Sequence, residues 1–280
     1  MRQRCRQLVM LAGTTVLALV VALGWAAAPA AVLAAPAPAL SPTDAATSAS
    51  NAARDWYFMS RGAHERPGIP SAAAKLLRRY GGHWIGARGD KVLYLTFDAA
   101  TELGTTKRIV GILERFDVKA SFFLTGRYMR ENPGITRRIF QHGHLVCNHS
   151  YSHPKMTALA GDRAAFAEQV GATERAYHAA TGEQLAPFFR PPYGVYSAHS
   201  LDLMRDLGYT TVFWSFAYVD YDEHAQPPVS VARARLIAAA SPGVVYLLHA
   251  GSTSNANALT RVIQDLKHRG YRFATLDELP

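Results

Sequence analysis

The chain has 280 residues, 49% hydrophobic and 18% charged, with 21 glycines and 15 prolines, which excludes a wholly disordered chain, a collagen-like repeat and a coiled-coil fibre. Two cysteines exclude a disulfide-stapled scaffold and a multi-cysteine zinc fold. The formal charge is +9; Arg2, Arg4 and Arg6 supply three of it before the first acid, Asp44, and the +6 left suits an anionic polymer or surface rather than a nucleic acid.

Three basic residues, an apolar run from Leu8 to Trp25 and the small residues of 26–35 read as a targeting segment over residues 1–35, with Val32 and Ala34 flanking a cleavage site. The run is also long enough for a membrane anchor. A cleaved signal is the favoured reading, and either one puts the body of the chain outside the cytoplasm, secreted or anchored at the envelope. Residues 36–54, rich in Ala, Pro, Ser and Thr without periodicity, read as a flexible linker. Residues 55–90 form an N-terminal extension that opens on Trp56, Tyr57 and Phe58 and holds one short helix, 71–80. Residues 91–280 form the main domain.

That domain alternates regularly. Strand-like runs at 92–97, 120–124, 145–148, 188–189, 211–214 and 244–249 are separated mostly by helical patterns at 105–116, 133–142, 162–181, 197–207, 229–240 and 257–269. Short continuous apolar strands between helices of about ten residues or more imply βα units and a parallel sheet. Six to eight such units predict an α/β fold of the distorted or partial (β/α) barrel kind, with reactive groups at the C-terminal strand ends.

Polar residues fall at those ends repeatedly. Asp98 closes the first strand, where a carboxylate can serve as general base. His149 and His153, spaced i, i+4, can converge on one metal ion if their segment makes a helical turn. Arg190, followed by Pro191 and Pro192, can grip a carboxylate bidentately. His249 ends the last full strand and can protonate a leaving amine, with Asp220 to orient and charge it. Cys147, in an apolar strand, reads as core, and the Arg78–Arg79 and Arg137–Arg138 pairs as solvated helix faces.

In order along the chain stand Thr96-Phe97-Asp98, His149-Ser150-x-x-His153, Arg190-Pro191-Pro192-Tyr193-Gly194, Asp220-Tyr221 and Leu247-Leu248-His249. These five segments resemble the motifs of the polysaccharide deacetylases, carbohydrate esterase family four, also called the nodulation-protein-B homology domain. The stretches 55–57, 80–86, 92–96 and 212–217 resemble the subgroup of delta-lactam-forming N-acetylmuramic acid deacetylases of spore peptidoglycan.

The resemblance implies a partial (β/α) barrel hydrolase that removes acetyl groups from N-acetylmuramic acid, in the cell wall or spore cortex. It implies Asp98 as base, His149 and His153 as metal ligands, Arg190 as the residue holding the base, His249 as acid and Asp220 as its tuner. Leu247 would line the acetyl pocket and Tyr193 would bind substrate. The partner implied is a peptidoglycan glycan strand, acted on by a monomer. Alternatives are an N-acetylglucosamine deacetylase of peptidoglycan or chitin and a non-catalytic wall-binding member of the fold.

Most of the family follows the base with a second, metal-ligating Asp; Ala99 stands there, and the spore subgroup likewise lacks that carboxylate. Ala100 and Thr101 also depart from the subgroup's usual pair. With two protein ligands, a divalent ion (zinc or another transition metal) is expected to be held weakly. Glu102 is the nearest remaining carboxylate. Because Asp98→Asn is nearly isosteric, it is expected to abolish turnover and leave the fold intact.

Overall fold

In chain order the elements of the computed structural model, which describes residues 49–280, are β1 (Arg54–Asp55), α1 (Ser71–Tyr80), β2 (Val92–Ala99), α2 (Thr106–Arg115), β3 (Ser121–Leu124), α3 (Gly126–Glu131), α4 (Pro133–Gln141), β4 (Leu145–Asn148), α5 (Arg163–Thr181), β5 (Ala186–Phe189), β6 (Val195–Tyr196), α6 (Ala198–Asp206), β7 (Thr210–Thr211), α7 (Val229–Ala238), β8 (Val245–His249), α8 (Thr253–His268) and β9 (Arg272–Ala274). The expected targeting segment and most of the linker lie outside the described residues. Among the described residues no helix is long and apolar enough to cross a membrane.

Seven strands form one parallel sheet in the order β7-β5-β4-β3-β2-β8, with β9 also paired to β2. The expected strand at 211–214 is regular only at Thr210–Thr211. Beyond it the chain leaves β5 and crosses to the opposite edge. There Ser215 donates to the Val245 carbonyl at 2.9 Å and Phe216 bridges Tyr246. The sheet is thereby curled into a partial barrel, as the βα alternation predicts.

Period-two alternation divides the sheet into two faces. Leu93, Leu95, Phe97, Phe122, Leu124, Val146, Tyr246 and Leu248 point outward and pack under the helices. Val92, Tyr94, Phe123, Cys147 and Val245 fill the interior, so Cys147 is core. All eight residues of β2 are buried, the signature of a central strand covered on both faces.

Local chemistry explains where sequence periodicity and structure part. The pattern at 133–142 is preceded by an unexpected helix, α3, whose start is capped by Thr125 accepting the Tyr128 N–H. Asn132, at φ −129°, and Pro133 at the first position of α4 separate the two. Helix α8 begins four residues before the expected Asn257 because Ser252 accepts the Asn255 N–H as its N-cap. The Arg137–Arg138 pair is exposed at Arg137 and half-buried at Arg138, and both side chains also bond neighbouring helices. Arg138 grips Glu114 of α2 with two bonds of 2.9 and 2.8 Å, and Arg137 donates to the Ala180 carbonyl of α5.

The extension is continuous with the domain. Its β1 pairs antiparallel with β6, Trp56 stacks on Phe213 at 4.3 Å, and its indole N–H donates to the Trp214 carbonyl. Two residues of the expected linker bond to the domain. Ser50 accepts the His199 N–H, and the Asn51 side chain bonds Thr157 and Ser197.

Candidate active site

The C-terminal strand ends meet in one cavity of about 640 Å³, lined by residues that include Asp98, His149, His153, Tyr193, Leu247 and His249. Parallel register accounts for the meeting. Asp98 lies opposite His249 on β8 and opposite Phe123 on β3, at a strand spacing of about 4.8 Å. Alternation then turns Asp98, Leu247 and His249 to the same inner side.

Asp98 and Arg190 form the floor. The Arg190 guanidinium, with no exposed surface, meets Asp98 Oδ1 at 2.7 Å through one nitrogen rather than bidentately. That same nitrogen donates to Thr96 Oγ1, and the other two reach the Val212 and Phe213 carbonyls at 3.2 and 3.3 Å. The Phe123 ring lies 4.0 Å beneath it. Burial pulls the Arg190 pKa down and Asp98 pushes it back up. A cation so enclosed requires the carboxylate beside it.

The second pair stands nearer the mouth. Asp220, fully buried, accepts His249 Nδ1 at 2.6 Å through one oxygen and the His249 N–H at 2.9 Å through the other. Burial pulls His249 down, but the Asp220 hydrogen bond and charge, with Asp98 adding, outweigh it; the pKa ends above 6.5. Nδ1 is occupied, so Nε2 is the nitrogen available to a substrate. Asn255 donates to the Asp220 oxygen that faces the backbone. Sequence reasoning missed Asn255; its place in the first turn of α8, directly after the strand of His249, was the signal.

His149 and His153 do converge, by a non-helical turn: Ser150 and His153 adopt φ of 62° and 64°. His149 Nδ1 lies 2.8 Å from the Arg190 carbonyl, which can only accept, so in the neutral ring Nε2 carries a lone pair. That Nε2 stands 3.2 Å from His153 Nε2 and 3.6 Å from Asp98 Oδ2. Burial pushes both imidazoles down, His153 to about 4, so both are neutral near pH 7.

Two nitrogens bound at about 2.0–2.1 Å to one ion at octahedral or tetrahedral angles lie about 2.9–3.4 Å apart, so the pair fits a shared cation. Among the described residues no group of three or more His, Cys, Asp or Glu could hold a metal ion. Ala99 lines the cavity beside Asp98 but packs against apolar neighbours and offers no donor atom. Glu102 is committed elsewhere: its oxygens accept the Gly104 N–H at 2.7 Å and the Tyr128 hydroxyl.

Trp214, Leu247, Val219, Tyr218 and Tyr221 give the cavity an apolar wall. Tyr193, 63% exposed and at φ 60°, sets its ring 4.6 Å from that of His153, and Tyr221 stands 5.4 Å from His249.

Residues 85–212 match the family model described as Polysaccharide deacetylase. The chain is 35% identical, over 80% of its length and 85% of the relative's, to the peptidoglycan-N-acetylmuramic acid deacetylase PdaA of Bacillus subtilis. It is 31% identical over 69% of its length, but only 40% of the relative's, to the peptidoglycan-N-acetylglucosamine deacetylase PgdA of Listeria monocytogenes. The solved structure of Bacillus subtilis PdaA, a family 4 carbohydrate esterase, superposes with a TM-score of 0.79 at 34% identity, covering 82% of this chain and 97% of that one.

Proposed function

The chain belongs to the polysaccharide deacetylase family, and from that membership we propose that it hydrolyses the acetamido group of N-acetylmuramic acid in peptidoglycan glycan strands. The observation that carries the reading is the pair of separately supported groups on adjacent strands. Asp98 is clamped by Arg190, and His249 is clamped by Asp220.

In this reading Asp98 takes a proton from the attacking water, and Arg190 fixes the carboxylate in direction. The acetyl carbonyl becomes tetrahedral with its methyl group against Leu247. His249 then delivers a proton from Nε2 to the departing nitrogen as the carbon–nitrogen bond breaks, and Asp220 stabilises the imidazolium before transfer. The products are acetate and the free amine. His149 and His153 would hold a divalent ion, which when bound supplies a Lewis acid for the carbonyl oxygen and lowers the pKa of water. Tyr193 and Tyr221 offer ring faces to the sugar at the cavity mouth.

The muramic assignment rests on the relative aligned over most of its length and on Ala99 standing where a ligating carboxylate is usual. A peptidoglycan substrate lies outside the cytoplasm, so the reading includes export, with the basic and apolar start of the chain as its signal or anchor.

The test is acetate release, followed by chromatographic and mass analysis of strands, from peptidoglycan and from N-acetylglucosamine oligomers, with added divalent ions. Free amines on muramic residues are expected. Deacetylation of glucosamine alone would overturn the assignment, and acetate release from neither would overturn the catalytic reading.

A further inference from the structure

The turn that carries His149 and His153 has its backbone hydrogen bonds distributed in an informative way. The Ser150 and Tyr151 carbonyls accept from the Gly126 and Arg127 N–H groups, at the start of α3. The Ser150 N–H goes to Asn148 Oδ1, and the His153 N–H goes to Ser150 Oγ. The two N–H groups between the ligands, of Tyr151 and Ser152, both go to one atom. That atom is Gln169 Oε1, at 3.1 and 3.0 Å, and it also accepts the Ser152 hydroxyl at 3.2 Å.

Gln169 stands on α5, two turns in from the N-terminal end of the helix. Its side chain is the acceptor that the turn receives from outside its own strand and loop. The turn is under backbone strain, because Ser150 and His153 hold left-handed φ without being glycine. A strained segment keeps such a conformation only while its surroundings over-determine it. Released at Tyr151 and Ser152, it can relax toward ordinary φ values, and the two Nε2 atoms then lose the 3.2 Å approach that suits a shared ion. Gly126 closes the same turn from its other side: a Cβ there would lie 2.3 Å from the Tyr151 ring.

The geometry points to Gln169 as a positioning residue for the two-histidine site, acting through its carbonyl oxygen on the backbone between the ligands. The inference rests on the metal reading above. Hydrogen-bonded partners behind metal ligands typically account for a factor of about 10–100 in affinity or activity. With only two imidazole ligands, the dependence on such support should be strong.

The test compares wild type, Gln169→Leu and Gln169→Glu, with His149→Ala as control, by calorimetric titration of zinc and cobalt into metal-stripped protein. Thermal unfolding of each variant and kcat and KM for acetate release accompany the titrations. Gln169→Leu removes the acceptor and leaves an apolar side chain one atom shorter; it should weaken metal binding about tenfold or more. Its thermal midpoint should remain near wild type, since Ser152 is exposed and water can take over its N–H. Gln169→Glu retains an acceptor oxygen and should stay within about threefold of wild type.

Wild-type affinity in Gln169→Leu would overturn the inference, and so would an equal loss in the Glu variant, which would assign the effect to packing. A parallel fall in melting and affinity in both variants would likewise show a merely structural role. Wild type binding metal no better than His149→Ala would overturn the metal reading itself, and this inference with it.

Discussion

The floor and the mouth of the cavity hold the same kinds of group under opposite conditions. On the floor, Asp98, His149 and Arg190 are 6%, 3% and 0% exposed; Asp98 lies within β2 and the other two directly follow β4 and β5. At the mouth, the His249 side chain is 32% exposed at the end of β8 and Tyr193 is 63% exposed in the turn after β5. The difference teaches that the base is held rigidly in direction while the acid keeps one open side from which to exchange its proton. A carboxylate pressed against an enclosed guanidinium is fixed in direction by it, and removing the carboxylate would strand a buried charge. A histidine at an open edge, held on one nitrogen by a buried aspartate, can lose and regain a proton on the other.

The largest effect expected from this contrast is at Asp98. Asp98→Asn removes the base, and a loss of ~10²–10⁴ in rate is expected. The burial of the Asp98–Arg190 pair adds an expected loss of stability. Arg190 would keep its charge with no counterion in a site closed to water, and breaking such a pair costs about 3–5 kcal/mol. Denaturant unfolding and acetate release together check this. A variant with full stability would show that the Asp98–Arg190 pair contributes less than its burial implies.

His249→Ala should cost about a hundredfold in rate or more, with a much smaller loss of stability, because half-exposed His249 leaves behind only Asp220, which Asn255 still supports. The sign of its pH dependence follows from the raised pKa. A donor must be protonated, so the rate falls as pH rises through that pKa, which Asp220 holds above 6.5. Asp220→Asn removes the charge responsible and should move the alkaline limb of the pH–rate profile to lower pH. A limb that stays in place would remove His249 from proton transfer.

A related contrast decides what the amino-acid sequence reveals. The strand ends, at floor and mouth alike, are legible because period-two alternation can be read from Val92–Asp98 and from Val245–His249: a polar residue at the last inward position is conspicuous. Motif order then joins Arg190 and Asp220 to those ends, although neither their partners nor the single-pronged grip of Arg190 follows from spacing. The turns beyond them are much less legible. Spacing His149 four residues before His153 suggests a helical turn, yet the chain achieves the convergence with two left-handed residues and the oxygen of a glutamine sixteen residues on. Asn255 and Gln169 escape because each acts across a gap in sequence through one hydrogen-bonded atom, and nothing in local periodicity marks such an atom. The strand at 211–214 fails for a related reason. Its apolar run is real, but Phe213 and Trp214 are claimed by Trp56 and the barrel crossing rather than by β5.

A smaller effect is expected at the mouth itself. Tyr193 touches the site through its ring against His153 and is otherwise open to solvent. Aromatic contacts of this kind are worth about 0.5–1.5 kcal/mol. Tyr193→Ala should therefore raise KM by about three- to tenfold with kcat nearly unchanged, measured on defined glycan strands. A fall in kcat with KM constant would move Tyr193 from binding the sugar to supporting the reaction.

The smallest effect is expected at Glu102, and it bears on where the floor ends. Ala99 leaves the two imidazoles without a protein carboxylate dedicated to the ion, and Glu102, three residues on, is the acid nearest in sequence. Its geometry argues against that role. One oxygen closes the loop onto the Gly104 N–H, and the other takes the hydroxyl of Tyr128, a side chain with no exposed surface whose pKa burial raises further. Turning Glu102 toward the histidines would leave that buried hydroxyl unpaired, at about 1–3 kcal/mol, before any coordination was gained. Glu102→Gln should accordingly change divalent-ion affinity by less than about threefold, because the amide oxygen can still accept one of the two bonds. Ala99→Asp, tested beside it, should raise affinity where Glu102→Gln does nothing, while placing a carboxylate where an apolar layer now packs. A tenfold loss on Glu102→Gln would mean that the 99–105 loop refolds around the ion, and that the boundary between a fixed floor and an adaptable mouth runs through Asp98 rather than beyond it.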